Sequence, residues 1–279
     1  MKLGNGQLQQ LGCSNIELPD FIHTINIDTD APIEDLLAAL IPEGVKSAQN
    51  NSMFEDRAIL TPRNNDVDML NRAFIDEFEE ESIVYKSFDT LLDEKCHLYP
   101  TEFLHTLCPG GMSPHELILK ENCPVMLIRN IEPSSGLCNG TRLRCKRFFA
   151  NTILCEIATG NYKGLNTMIH RINLRPPSSS EYPFQFQRKQ FPIKLSFVMT
   201  INKAQGQTLN EVGIYLRQPC FSHGQLYVAL SRARKACKVR VITSIESPQD
   251  DICNPGTNQA ELKIRNIISF DVLSRARLI

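Results

Sequence analysis

The segment that decides the fold is Leu195-Ser-Phe-Val-Met-Thr-Ile-Asn-Lys-Ala-Gln-Gly-Gln-Thr208. Its first half, Leu195 to Thr200, is an apolar run typical of a buried strand. Its second half places hydroxyl, amide and ammonium groups directly after that strand. A second segment of this kind, Gly224-Gln-Leu-Tyr-Val-Ala-Leu-Ser-Arg232, joins an apolar stripe to a cation. Ligands of parallel α/β sheets bind beyond the carboxyl ends of the strands, so both segments predict a binding site.

Elsewhere the chain alternates between strand and helix patterns. Residues 57–61 predict a strand, Pro62-Arg-Asn-Asn65 breaks it, and a helix with an apolar face follows before a strand at 82–87. From Ile193 the pattern resumes, with strands predicted at 195–200, 212–216 and 238–243. This order is typical of an α/β fold built on a parallel sheet.

Two further helices are predicted from their start signals. The first begins near Asp30, which can cap it, and has Ile33, Leu36, Leu37 and Leu40 at helical spacing. The second begins with a Ser222–Gln225 capping box, in which hydroxyl and amide each satisfy a free backbone donor. Its predicted buried stripe consists of Leu226, Ala229, Leu230 and Ala233.

The middle of the chain differs in character. Short β-like runs, frequent Pro and Gly and a hairpin signal at Asn139-Gly140 predict a small β-rich domain inserted into the sheet domain. A two-strand excursion is the alternative. The expected organisation is a sheet domain in two parts, 1–95 and 191–245, an insertion at 96–190, and a tail at 246–279.

Composition excludes several classes of protein. No apolar run approaches the ~18 residues of a membrane span, so we expect no membrane partner. The ten cysteines include no Cys-x-x-Cys pair, which favours reduced thiols in an intracellular protein. Cys96-His97 and His105-x-x-Cys108 do not form two clean ligand pairs, so we predict no metal site.

Charge is distributed unevenly although the net charge is only −1. Residues 1–141 carry 9 Lys/Arg against 23 Asp/Glu, whereas residues 142–245 carry 17 against 3. A concentrated basic region is typical of a protein that binds a polyanion such as nucleic acid. The alternative is that these cations complement the acidic half of the same chain.

The two opening segments resemble motifs V and VI of superfamily 1 helicases, most closely the Pif1-like helicases and their Helitron transposon relatives. Leu60-Thr-Pro-Arg-Asn64 is similar to motif IV of that family. Asn122-Cys-Pro-Val-Met-Leu127 and Leu137-Cys-Asn-Gly-Thr-Arg142 resemble the family's 2B insertion. The resemblance covers roughly residues 15–245 and implies a RecA-like motor domain, 2A, interrupted by a small SH3-like 2B domain.

The resemblance also implies roles for individual residues. Arg232 matches the arginine finger that reaches the γ-phosphate, and is the expected catalytic residue. The expected nucleotide-binding residues are Gly206, Gln207, Thr208 and Arg232. The expected DNA-binding residues are Thr61, Arg63, Asn64, Thr200, Asn202 and Lys203. Asn202 stands where many Pif1-like proteins have His, a variation that resembles the Helitron-type branch.

For the whole protein, the resemblance implies an ATP-dependent 5′–3′ DNA helicase that uses ATP and Mg²⁺. Single-stranded DNA is the expected partner, with roles in DNA repair, recombination and telomere maintenance, in the nucleus or alternatively the mitochondrion. The sequence contains no Gly-x-x-x-x-Gly-Lys-Ser/Thr. We therefore expect this chain to be the C-terminal part of the helicase, to need a separate N-terminal motor domain, and to bind no ATP or Mg²⁺ alone.

Two other functions remain open from the sequence. The chain could be a non-enzymatic module that binds single-stranded nucleic acid, or an inactive transposon-derived relic. Phe74-Ile-Asp-Glu77 mimics the Asp-Glu strand that binds Mg²⁺ in such motors, but it lies within a predicted helix. We therefore do not interpret it as a metal-binding motif.

Overall fold

The computed structural model describes residues 15–16, 18, 22–28, 32–42, 44, 54–92, 99–177, 182–245 and 264–265. Within these ranges the contacts divide the chain into two compact units. The first consists of residues 1–45, 56–73 and 198–279, and the second of residues 46–55 and 74–197.

The secondary structure contains four α-helices and seventeen strands among the described residues. The helices are α1 (Ile33–Leu40), α2 (Asn64–Glu77), α3 (Thr101–Thr106) and α4 (Gln225–Leu230). The strands are β1 (Asn15–Ile16), β2 (His23–Asp28), β3 (Arg57–Thr61), β4 (Ile83–Lys86), β5 (Phe88–Leu91), β6 (Glu116–Leu119), β7 (Pro124–Leu127), β8 (Arg142–Phe148), β9 (Thr152–Ile157), β10 (Asn166–His170), β11 (Ile172–Leu174), β12 (Phe186–Gln190), β13 (Ile193–Leu195), β14 (Val198–Thr200), β15 (Glu211–Leu216), β16 (Val239–Ile245) and β17 (Ile264–Arg265).

The first unit is built on a five-stranded sheet in the order β14-β3-β15-β16-β2. Every pair of neighbours in it is parallel. All five residues of β3 are buried, as expected for a central strand whose two faces are both covered. The predicted α/β fold class with a parallel sheet is therefore confirmed.

Helix α1 forms as predicted, and it buries Leu36, Leu37 and Leu40 along one face. The residue before the helix is Pro32, which makes no side-chain capping bond. Asp30, the predicted cap, lies outside the described residues. Glu34 and Asp35 occupy the first turn, where carboxylates interact favourably with the helix dipole.

The strand predicted over 195–200 is two strands. Residues of β13 pair antiparallel with β7, with Leu195 opposite Val125. Residues of β14 pair parallel with β3, with Val198 opposite Ile59. The apolar run is continuous in sequence, but its two ends hydrogen-bond to different sheets, so the prediction of one strand was wrong.

The predicted Ser222–Gln225 capping box does not form either. Helix α4 begins only at Gln225, after Gly224 in the left-handed conformation with φ of 68°, and it has no side-chain cap. The Gln225 Oε1 instead accepts the backbone N–H of Phe221 at 3.2 Å. The helix ends at Leu230, and Ala233 lies in an extended bridge with Leu209.

The second unit is rich in antiparallel strands. It contains a five-stranded sheet, β10-β9-β8-β7-β13, a three-stranded sheet, β11-β12-β5, and the pair β4-β6. Strands β7 and β8 pair antiparallel, but residues 128–141 connect them, so Asn139-Gly140 is not the two-residue hairpin that its sequence predicts; it lies just before β8, where the Gly140 N–H bonds the Leu127 carbonyl at 2.8 Å. Fully buried Arg142 donates to the carbonyls of Phe54, Glu55 and Ser196, which ties these segments to β8.

The boundaries between these two units differ from the predicted domain boundaries at 95/96 and 190/191. Strands β4 and β5 precede residue 95, yet they pair with β6 and β12 inside the second unit. An aromatic cluster of Phe54, Phe74, Phe78 and Phe197, with ring centroids 5.0–6.4 Å apart, also belongs to this unit.

None of the helices in the described ranges combines the length and the apolar character that crossing a membrane requires.

Candidate functional site

Two predicted binding segments begin at neighbouring strand ends. Thr61 ends β3 and Thr200 ends β14, and the two residues are register partners across the parallel pair. The N–H of Ile201 bonds the Thr61 carbonyl at 3.0 Å, which extends the pairing one step beyond the strands. The carboxyl edge of the sheet therefore places Arg63 and Asn64 beside the loop that starts at Thr200.

The position of β14 is fixed by a side chain that the sequence analysis did not single out. The Asn71 amide on α2 donates from Nδ2 to the Val198 carbonyl at 2.9 Å, and its Oδ1 accepts the Val198 N–H at 3.0 Å. Asn71 thereby supplies a strand-like partner to the end strand of the sheet. Polar helix residues are usually solvated, so no local pattern marks Asn71 for this role.

The loop after Thr200 is a compact series of turns. The backbone N–H groups of Lys203 and Ala204 both bond the Thr200 carbonyl, at 2.9 and 3.2 Å. Ile201 and Ala204 are fully buried, whereas Asn202 and Lys203 between them are exposed. The two buried residues anchor the loop, and the amide of Asn202 and the ammonium of Lys203 between them face solvent at the strand end.

The nucleotide-binding residues predicted from the two segments lie close together. Arg232 donates from Nη1 to the Gln207 carbonyl at 3.2 Å and from Nε to the Val228 carbonyl at 3.0 Å. The Leu209 N–H also bonds the Arg232 carbonyl at 2.9 Å. Gly206, at φ of 80°, is exposed and has open space around its Cα, which permits a close approach to the backbone. Thr208 is exposed and follows directly.

A third strand-end segment contributes an aromatic side chain that was not predicted. Phe221, in the loop between β15 and α4, is 57% exposed. The guanidinium carbon of Arg63 lies 5.9 Å from the centroid of its ring. A cation beside an exposed aromatic face is a common arrangement in proteins that bind single-stranded nucleic acid. A single Phe in a polar loop gives no such signal in the sequence.

Thr61 differs from the other predicted DNA-binding residues in its burial. Its side chain is fully buried, and its hydroxyl donates to the Asp66 carboxylate at 3.3 Å. Asp66 lies in the first turn of α2 and is itself buried. The hydroxyl therefore joins the strand end to the following helix, and the groups of this segment that face solvent are Arg63 and Asn64.

Part of the basic charge is neutralised within the chain. Arg144 and Lys163 pair with Glu55, and Arg188 pairs with Asp89, so cations of the basic region do meet the acidic half. This matches the second interpretation of the charge pattern for these residues. Lys203, by contrast, is an exposed cation in the loop after Thr200, which we call the strand-end loop (residues 201–208).

One group of side chains has the composition of a metal site. Polar atoms of Asp89, His105 and His115 lie within 4.8 Å of one another. Arg188 donates to both carboxylate oxygens of Asp89, at 2.7–3.1 Å, and the two imidazole rings stack with centroids 3.6 Å apart. The lone pairs of stacked rings do not converge on one point, and the carboxylate is already engaged. We therefore interpret this group as a hydrogen-bonded network.

Comparison with known families identifies two matching regions. Residues 102–148 match the 2B domain of the DNA helicase Pif1, and residues 147–241 match the core domain of viral superfamily 1 RNA helicases. The second region includes the strand-end loop and Arg232.

Two of the similar proteins are ATP-dependent DNA helicases named Pif1. The chain is 29% identical over 183 residues to the ATP-dependent DNA helicase Pif1 of Bdellovibrio bacteriovorus, matching 66% of this chain and 38% of that protein. It is 35% identical over 133 residues to ATP-dependent DNA helicase PIF1 of Homo sapiens, matching 45% of this chain and 19% of that protein. These matches are to Pif1-like superfamily 1 helicases, and this chain aligns with only part of each of them. The chain spans well under half the length of these two relatives.

Solved Pif1 structures share the fold. A Bacteroides Pif1 helicase in complex with ADP-AlF3 and ssDNA matches 90% of this chain and 51% of its own, with a TM-score of 0.54 and 20% identity. Bacteroides Pif1 bound to ssDNA matches 90% and 55%, with a TM-score of 0.55 and 18% identity. At such identity the likeness extends to the fold, so the roles of individual side chains are a separate question.

Proposed function

We propose that this chain is the second motor domain, 2A, and the 2B insertion of a Pif1-like ATP-dependent DNA helicase of the Helitron-type branch. In this proposal the parallel-sheet unit is RecA-like and the β-rich unit contains the SH3-like 2B domain. ATP and Mg²⁺ are bound together with a separate P-loop domain. The human relative is a DNA helicase, which favours a nuclear location, with the mitochondrion as the alternative.

One observation carries the proposal. The loop after Thr200 begins at the sheet edge beside the Thr61 strand end, and its far end receives the Arg232 guanidinium at the Gln207 carbonyl. A single short segment therefore connects the groups proposed to hold DNA with the group proposed to reach a γ-phosphate. Such a connection is what a motor needs to couple nucleotide state to its grip on a strand.

The proposed division of labour follows from the chemistry of each group. Exposed Lys203, Asn202 and Arg63 would contact phosphodiester oxygens, to which ammonium, amide and guanidinium groups donate well. Thr200 is half-buried at the strand end and would add a hydroxyl. Arg232 would stabilise the charge that spreads over the transferred phosphoryl oxygens in the transition state. The segment between these two groups, Gly206 to Thr208, would connect the DNA-contacting residues to Arg232.

Salt-dependent DNA binding by the 279-residue chain tests the DNA-binding part of the proposal. We expect weak binding to single-stranded oligo(dT), with a log–log salt slope of about −0.7 for each phosphate contact. Lys203→Ala should weaken binding and flatten the slope by about 0.7, because one contact is lost. Thr200→Ala should weaken binding with little change in slope, since no charge is removed. Fluorescence anisotropy over a series of salt concentrations measures both quantities.

Lys189→Ala is the matched control, because Lys189 is exposed on β12, away from the strand-end loop in sequence. It should leave affinity and slope unchanged. An equal effect of Lys189→Ala and Lys203→Ala would mean that binding is diffuse and that the strand-end loop is not the site. Absence of binding at low salt would favour the interpretation that the basic residues serve the chain's own acidic half.

A further inference from the structure

We propose a second binding site, for a small phosphate monoester, on one face of the parallel sheet near the amino-terminal ends of its strands. It lies at the opposite end of the strands from Thr61 and Thr200. A cavity of about 240 Å³ opens there, lined by His23, Leu40, Arg57, Glu211, Gly213 and Arg240 among others. No part of the proposed helicase function uses it.

The strand register brings these residues to one face. His23, Arg240, Gly213 and Ile59 are successive register partners across β2, β16, β15 and β3. Side chains in one row of a parallel sheet point to the same side, and residues two positions apart in a strand do so as well. The preceding row on this face contains Glu211 and its partner Arg57.

Gly213 creates the floor of the cavity. A Cβ at this position would lie 3.2 Å from Ile59 Cγ1 and 3.2 Å from Leu40 Cδ2. Leu40, at the end of α1, therefore packs directly over the glycine, and no side chain of β15 fills the centre of the row. Leu40 and Ile59 therefore occupy the space over the glycine, and they line the cavity beside it together with the charged side chains of the neighbouring strands.

The cations that line this cavity differ in the ion pairs and hydrogen bonds that they make. Glu211 pairs with Arg57 and accepts the Lys238 ammonium at 2.6 Å, so that carboxylate is shared by two cations. Arg240 is half-buried, and among the residues that the structure describes its guanidinium has no hydrogen bond or ion pair. Three lining cations face one lining carboxylate. A partly desolvated guanidinium without a partner favours an anionic ligand.

Size and chemistry restrict that ligand. Pockets for drug-sized molecules are typically about 300–1,000 Å³, so this cavity suits something smaller. Guanidinium groups bind phosphate through two parallel N–H···O bonds, and a doubly charged oxyanion balances the excess positive charge. His23 can donate a further hydrogen bond at the mouth. The geometry therefore points to a phosphate monoester with a small organic group.

Cys237 provides a direct readout, because it lines the same cavity and its thiol is free and exposed. The rate of its alkylation by iodoacetamide is measured by peptide mass spectrometry, with and without inorganic phosphate or glycerol 3-phosphate at constant ionic strength. We expect either phosphate to slow Cys237 several-fold. Alkylation of Cys108, which is exposed in the other unit, should not change and serves as an internal control.

Arg240→Gln should weaken the apparent affinity for phosphate at least about tenfold, because the bidentate charged contact is lost. Arg240→Lys keeps the positive charge but lacks the planar guanidinium, so its apparent affinity for phosphate should lie between those of the unaltered chain and Arg240→Gln. It also provides a second variant if Arg240→Gln does not fold. Arg147→Gln removes an exposed arginine of the other unit and should retain full protection.

Three results would overturn the proposal: no slowing of Cys237, equal protection in the Arg240→Gln variant, or protection by oligo(dT) but by neither small phosphate. The last result would assign the cavity to a nucleic-acid backbone. Alkylation of Cys237 reports on this cavity alone. A negative result there would leave the DNA-binding experiment on Lys203 unaffected, and a negative result on Lys203 would leave the alkylation experiment interpretable.

Discussion

The guanidinium of Arg232 donates a hydrogen bond from Nη1 to the backbone carbonyl of Gln207 at 3.2 Å. The two residues are 25 positions apart, and the contact fastens the segment after α4 to the strand-end loop. The Nη2 of Arg232 also donates to the Ser231 hydroxyl at 2.9 Å. A guanidinium that turned toward a γ-phosphate would have to exchange the Gln207 carbonyl for phosphate oxygens, which would change the loop that begins at Thr200.

Arg232→Ala should therefore separate ATP turnover from DNA affinity. In a polypeptide that joins this chain to its P-loop domain, kcat should fall on the order of 10³-fold or more, because a cation at the transferred phosphoryl group is lost. DNA affinity without nucleotide should stay nearly intact. Steady-state ATPase with saturating DNA and anisotropy without nucleotide measure the two quantities.

Arg234→Ala is the matched control for this experiment. Arg234 is an exposed arginine two positions further along the chain, and it should retain normal turnover. Near-normal kcat in Arg232→Ala would show that this residue only ties the two segments together, and the assignment of the arginine finger would then be wrong.

The 279-residue chain alone should show no appreciable ATPase. It contains no Gly-x-x-x-x-Gly-Lys-Ser/Thr, so it lacks the loop whose backbone N–H groups and lysine bind nucleotide phosphates. Phosphate release is measured with and without single-stranded DNA. The Arg232→Ala chain serves as a control for contaminating helicase, since it should show the same background rate. DNA-stimulated turnover that depends on Arg232 would contradict this prediction.

Phe221 should stack on a base of bound single-stranded DNA. The chain contains no tryptophan, so Phe221→Trp introduces a single tryptophan beside Arg63. Stacking should quench its emission when oligo(dT) is added, and Phe221→Ala should weaken binding by about 1–3 kcal/mol. Phe103→Trp, at a 40% exposed aromatic of the other unit, is the control and should respond little. Equal responses from the two tryptophans would exclude a specific role for Phe221.

Thr61 should prove to be a structural residue more than a DNA contact. Thr61→Val removes the buried hydroxyl that donates to Asp66 and should lower the free energy of unfolding by about 1–2 kcal/mol. Thr61→Ser keeps the hydroxyl and should lose less. DNA affinity should be unchanged in both when measured well below the unfolding transition. Urea unfolding and anisotropy distinguish the roles, since a direct contact would lower affinity in Thr61→Val without a comparable loss of stability.

His115 should make stability sensitive to mild acid. Burial lowers its pKa below the ordinary value, and the neighbouring His105 lowers it further. The unfolded chain therefore binds a proton more readily than the folded one. The contribution to stability is fully present above about pH 6.5 and is lost as the pH falls through the lowered pKa of the folded state.

Urea unfolding between about pH 7.5 and about pH 5 measures this dependence. His115→Gln should flatten it, whereas His170→Gln, which changes an exposed histidine on β10, should not. If both variants keep the slope of the unaltered chain, other groups control the acid sensitivity. The Ser87 hydroxyl lies between Asp89 and His115, at 2.6 and 2.8 Å, so His115→Gln also tests whether this network holds β5 in place.

Several elements could be predicted because their physical cause is local. The apolar runs of β3 and β15 and the helical spacing of Leu36, Leu37 and Leu40 follow from burying one side or all sides of an element. The polar groups after Thr200 could be recognised as following a strand end, because the ligand-binding groups of a buried parallel sheet lie beyond the carboxyl ends of its strands. The family resemblance rests on these same residues.

Other features were decided only when distant segments met. The run from Leu195 to Thr200 reads as one strand, because apolar character records burial but not the partner strand. Helix α4 starts after the left-handed Gly224 and ends before Ala233, which pairs with Leu209, and a capping pattern specifies neither boundary. Strand register determines three further features: the burial of Thr61, the contact between Arg63 and Phe221, and the row that joins Arg240 to Gly213. The sequence alone determined the apolar elements and the polar segments that follow them, whereas hydrogen bonding between remote strands decided where each strand ends and which strands became neighbours.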